Sequence, residues 1–111
     1  MAKYNLKMFI IDVLRHGGGS TLEGILKRLN ANDSIGWRDV NGKPFLIKEV
    51  NSKVMELVKD QTLLVEDLNN NSKVLSVTEI DQITFSEYYL ITNSKKALAE
   101  LAKWKPPKSV A

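Results

Sequence analysis

The chain has 111 residues, of which 43% are hydrophobic and 26% charged, with six glycines, three prolines and a formal net charge of +3. That composition excludes a low-complexity or repeat chain and describes one domain, able at this length to bury roughly two-thirds of its unfolded surface. Cysteine is absent, which removes disulfide frameworks, thiol catalysis and thiolate metal sites and fits a cytoplasmic protein.

The apolar run Met8-Phe9-Ile10-Ile11 stops at Asp12, far short of the ~20 residues of a membrane span. It leads into Arg15-His16-Gly17-Gly18-Gly19 rather than a small-residue cleavage site, so the amino terminus is expected to be mature structure with no membrane segment. From Lys3 to His16 the residues Tyr4, Leu6, Met8, Phe9, Ile11, Val13 and Leu14 are apolar around most of a helix, the pattern of a central, buried element. The three glycines end it, because glycine takes the left-handed conformation of a helix carboxyl cap without steric penalty. Ser20-Thr21-Leu22-Glu23 has the spacing of a capping box with Ser20 as the cap. A second helix follows, with Leu22, Ile25, Leu26 and Leu29 on one face and Lys27 and Arg28 near the other.

Residues 30–44 are rich in turn formers and have no helical period, so a connection with an Asn41-Gly42 turn is expected. The third helix is predicted from Phe45 to Asp60, with Leu46, Ile47, Val50, Val54, Leu57 and Val58 toward the core and Lys48, Ser52, Met55, Glu56 and Lys59 outward. At Thr62 β-branched and aromatic residues take over. Leu63–Leu68 and Lys73–Val77 are predicted as antiparallel strands around an Asn69-Asn70-Asn71-Ser72 turn, joined by a strand from Ile83 to Thr92. Asn93 or Ser94 then caps a last helix with the stripe Ala97, Leu98, Leu101, Trp104, stopped by Pro106-Pro107. The domain is thus expected over residues 1–105, with a flexible basic tail at 106–111.

Charge is unevenly spread. The net balance is +3 over residues 1–44, −4 over 45–93 and +4 over 94–111. A polyanion would be drawn chiefly to the two ends, unless the fold gathers the central lysines on one face.

Three helices, a β-hairpin and a closing helix is the element order of the winged helix-turn-helix superfamily, an α+β fold. Leu57-Val58-Lys59-Asp60-Gln61-Thr62-Leu63-Leu64 resembles the end of a winged-helix recognition helix entering the first wing strand. Tyr88-Tyr89-Leu90-Ile91-Thr92, followed by Asn93-Ser94-Lys95-Lys96-Ala97-Leu98, is similar to the exit from the wing into the final helix. MarR-like and PadR-like regulators share both features. Thr62 and Lys95 stand where many members have glycine.

The resemblance implies a sequence-specific double-stranded DNA-binding protein, a transcriptional regulator acting as a homodimer. Its recognition helix would enter the major groove through Lys48, Asn51, Ser52, Lys53 and Lys59. Lys27, Arg28 and Lys43 would clamp phosphates, and the wing tip at Asn70, Asn71 and Lys73 would reach a flanking groove or phosphate. The same residues also fit a solvated helix face and a plain hairpin turn, since Glu49, Glu56 and Asp60 cancel the three lysines of residues 45–60. Trp37, beside Arg38, fits a hydrophobic plug or an exposed recognition aromatic. Ala97, Leu98, Leu101 and Trp104 would form the dimer interface with help from Tyr4 and Phe9, or else pack the last helix onto its own domain. The acidic middle also fits a winged-helix module that contacts a protein partner and no DNA.

Enzyme chemistry is not expected. The single histidine, His16, has no carboxylate pair or nucleophile beside it in sequence, so no metal site and no catalytic pair can be composed. Gly17-Gly18-Gly19-Ser20-Thr21 lacks the preceding strand and the Gly-Lys-Ser/Thr spacing of a phosphate-binding loop. No cofactor is implied.

Overall fold

The computed structural model describes residues 6–15, 19–31 and 45–104. The expectations for Tyr4, His16, Gly17, Gly18, Trp37, the Asn41-Gly42 turn, Lys43 and the 106–111 tail lie outside them. The described chain is α+β: helices α1 (Leu6–Arg15), α2 (Leu22–Asn30) and α3 (Ile47–Lys59), strands β1 (Leu63–Asp67) and β2 (Lys73–Val74), a one-turn helix α4 (Val77–Ile80), strand β3 (Tyr89–Asn93) and helix α5 (Lys95–Lys103).

Helix α1 is central, touching α2, α3, β3 and α5. Its all-round apolar sequence explains this, since Met8, Phe9, Ile10, Ile11, Val13 and Leu14 are all buried. Removing each such side chain from water is worth about 1.5–3 kcal/mol. Asp12 is buried with them, and its carboxylate meets the Arg15 guanidinium at 2.7 Å one turn on. One turn before Asp12, the Phe9 ring meets the Trp104 ring edge to face with centroids 5.9 Å apart, an arrangement favoured by the aromatic quadrupole.

The cap of α2 is Thr21, one residue later than the spacing predicted: its hydroxyl accepts from the Gly24 amide at 3.1 Å. Ser20 has another task. Its amide donates to the Ile91 carbonyl at 2.9 Å and its carbonyl accepts from the Ile91 amide at 2.7 Å. The link between α1 and α2 is thereby bridged to β3. Gly19 has φ +121°, and a Cβ there would come within 2.7 Å of the Thr92 methyl, so the approach depends on glycine.

Helix α3 has Val50, Val54, Leu57 and Val58 buried, as its period predicts. Leu46 and Ile47 depart from the prediction, being 67% and 48% exposed. They lie at the helix start, beyond the reach of the core, where Glu49 folds back to accept from the Leu46 amide at 2.9 Å. The far end is a Schellman closure. The Gln61 amide donates to the Val58 carbonyl at 3.1 Å and the Thr62 amide to the Leu57 carbonyl at 2.9 Å, with Gln61 at φ +66°. The left-handed residue after α3 is therefore Gln61, not Thr62.

The sheet is antiparallel in the order β2-β1-β3. Register Val65↔Ile91 and Leu63↔Asn93 puts Leu63, Val65 and Ile91 on the core face, where all three are buried. The predicted long return strand is corrected to two residues. After Lys73 and Val74 pair with Asp67 and Glu66, Ser76 caps α4 by accepting from the Glu79 amide at 3.3 Å. The predicted strand from Ile83 likewise begins only at Tyr89. Between them Ile80 is buried, and Ile83 and Phe85 pack against the core. Of the four turn residues, Asn71 and Ser72 have φ +55° and +57°.

Ser94 caps α5. Its hydroxyl accepts from the Ala97 amide at 3.3 Å and donates to the Thr62 carbonyl at 2.7 Å, which fixes the last helix to the start of β1. Ala97 and Leu101 then turn into the core.

Candidate functional site

Helix α3 is held on its inner side by four buried aliphatics, and its outer side carries Lys48, Ser52, Glu56 and Lys59 in one exposed row. These positions follow the helical repeat, so they lie along a single edge. Asn51, Lys53 and Met55 flank the row and are half-buried. The hairpin turn extends from β1 with Asn70, Asn71 and Lys73 exposed. On α2, Lys27 is exposed and Arg28 half-buried. Lys27 lines a shallow groove of about 540 Å³ with Thr21, Glu23 and Asn30.

The lysines of this surface divide into two kinds. Lys53 pairs with Glu56 at 3.3 Å, Lys59 with Asp81 at 3.0 Å and Lys73 with Glu79 at 3.3 Å. Among the described residues, Lys27 and Lys48 have no such carboxylate. The outward row of α3 is thus positive at its beginning and neutralised toward its end.

Asp81 and Glu79 were not among the residues singled out from the sequence. A signal for α4 was nonetheless present: Ser76-x-x-Glu79 is a capping-box spacing, and the Ser76 hydroxyl indeed donates to Glu79 Oε1 at 3.1 Å. Those contacts set the Glu79 carboxyl below its ordinary range. The Ser76 and Lys73 hydrogen bonds outweigh the slight loss of solvation. At the end of α3, burial alone would raise the Asp60 carboxyl. Hydrogen bonding from Thr62, whose amide donates to Asp60 Oδ1 at 2.9 Å, with the charges of Lys96 and Lys7, outweighs it and holds Asp60 below the usual aspartate range.

The stripe on α5 splits. Ala97 and Leu101 are in the chain's own core and Trp104 meets Phe9 edge to face, while Leu98 is 48% exposed. Leu98 borders a hollow of about 210 Å³ with Leu14, Gly19 and Thr92. No group of three or more His, Asp or Glu side chains among the described residues is placed to hold a metal ion. No helix among them is long and apolar enough to cross a membrane. Comparison with protein-family models, with curated proteins and with solved structures gave no match to the chain.

Proposed function

We propose that this chain is a winged helix-turn-helix protein that binds double-stranded DNA and regulates transcription as a homodimer, without metal or cofactor. The observation that carries the reading is the exposed α3 row beginning at Lys48, backed by four buried aliphatics, with Lys27 on α2 and Asn70, Asn71 and Lys73 of the hairpin turn also exposed. A helix presented in this way fits the major groove, where Asn51 and Ser52 would face base edges and Lys48 a guanine or a phosphate. Lys27 and Arg28 would grip the phosphates beside it. In a dimer two such helices would meet half-sites about one turn of DNA apart.

Fluorescence anisotropy of a labelled random-sequence duplex, read from low to physiological salt, tests the proposal. Binding with a Kd of about 10⁻⁴ to 10⁻⁶ M, weakening steeply as salt rises, is the expected result. Lys48→Ala should weaken it and flatten the salt dependence. No binding at low salt would exclude DNA as the partner.

One observation favours a second reading. Lys53, Lys59 and Lys73 all lie against carboxylates of the same chain, and a self-neutralised face of mixed charge also suits a protein partner. Absence of duplex binding, with recovery of one stoichiometric protein partner from nuclease-treated lysate, would select it.

A further inference from the structure

The two ion pairs that join α3 and the turn to the rest of the hairpin both end on α4 or its cap. Asp81 follows α4 directly and reaches Lys59 on the outward row, and Glu79 within α4 reaches Lys73. This acidic turn is built in place. Ile80 is buried, α4 packs against α3, and the Ser76 hydroxyl both accepts from the Glu79 amide and donates to its carboxylate. The Glu79 carboxylate is therefore oriented by one oxygen while its other oxygen meets Lys73.

We infer that α4 is an autoinhibitory contact, in which Asp81 and Glu79 occupy the ammonium groups of Lys59 and Lys73 so that duplex phosphates must displace the chain's own carboxylates. The inference rests on the duplex-binding reading above. Exposed ion pairs exchange readily, so the contact lowers affinity without abolishing binding. It also reduces net ion release. Each displaced carboxylate takes up a cation as the phosphate gives one off, and the salt dependence of binding becomes shallower than the number of lysines would predict.

The test compares duplex binding of the wild type with that of the Glu79→Gln/Asp81→Asn double variant across a salt series, using the same labelled random-sequence duplex. The double variant is expected to bind about two- to tenfold more tightly at low salt, with a log–log salt slope steeper by about one to two. Adding Lys59→Ala and Lys73→Ala should abolish the gain. Glu66→Gln removes one carboxylate from the opposite face of β1 and controls for net charge against the single variants Glu79→Gln and Asp81→Asn; it should change neither quantity to the extent that they do. Circular dichroism confirms that each variant is folded. Wild-type binding with an unchanged double variant, or a gain from Glu66→Gln equal to that of the single variants, overturns the inference and leaves the duplex reading standing. No binding by either chain overturns the duplex reading, and the inference falls with it.

Discussion

Asn30 and Phe45 hold each other in both directions: the Asn30 side-chain amide donates to the Phe45 carbonyl at 3.1 Å, and the Phe45 amide donates to the side-chain Oδ1 of Asn30 at 2.7 Å. The pair joins the last residue of α2 to the approach of α3. It stands in for a strand pairing and sets where α3 begins, while Phe45 itself is buried at 2% exposure. Asn30→Ala leaves both backbone groups of Phe45 without these partners. Loss of about 1–3 kcal/mol of stability is expected, measured by urea unfolding. Asn30→Asp keeps the acceptor for the Phe45 amide and should lose less, and equal losses in the two variants would mean that the Phe45 amide does not depend on Asn30.

Gln61 closes α3 at φ +66°, a conformation in which a side chain costs about 1–2 kcal/mol. Gln61→Gly removes that strain and returns part of the gain as unfolded-state entropy. A net stabilisation of about 0.5–1 kcal/mol is expected. Gly19→Ala is the opposite case, with φ +121° and the Thr92 methyl in the way, and it should destabilise by about 1–3 kcal/mol. Urea midpoints moving the same way in both variants would contradict the assigned backbone conformations.

The regular middle of each helix was legible because its burial follows the 3.6-residue period, and Val50, Val54, Leu57 and Val58 could be placed from sequence on that ground. Ends were not. Leu46 and Ile47 continue the apolar pattern but run past the core, a limit set by Asn30 and Phe45. Ser20 has the better capping spacing, yet its backbone is used by Ile91, a partner that no local rule identifies. Lys73–Val77 has strand composition, and the Ser76 cap overrides it. The outward face of α3 was readable for the same reason as its core face. Its electrostatics were not, because Asp81 approaches Lys59 only once the hairpin has folded back.

Acid should weaken the join between α3 and β1. Asp60 is held below its ordinary value in the folded chain. Its contribution is therefore complete above the unfolded aspartate value and lost as the pH falls through the lower folded one. Urea unfolding between about pH 2 and 6 should show the difference between wild type and Asp60→Asn shrinking toward the acid end. Glu79 is lowered in the same sense by Ser76 and Lys73, so Glu79→Gln should flatten the same acid limb. A gap that stays constant with pH would show that neither carboxyl titrates differently on folding.

Self-association, if it follows the α5 stripe, now depends on Leu98. Ala97 and Leu101 belong to the chain's own core, whereas Leu98 is 48% exposed beside Leu14 and Thr92. Leu98→Asp should convert a dimer to a monomer, seen by light scattering, while the monomer's melting temperature stays close to that of dilute wild type. Leu101→Ala should instead destabilise the fold by about 2–5 kcal/mol at any concentration. The separation of the two effects matters for the functional reading. A dimer that Leu98→Asp dissolves would pair two α3 rows and make duplex affinity depend on half-site spacing. A wild type that is monomeric at all concentrations would leave one row per molecule, and its duplex binding would then be indifferent to spacing.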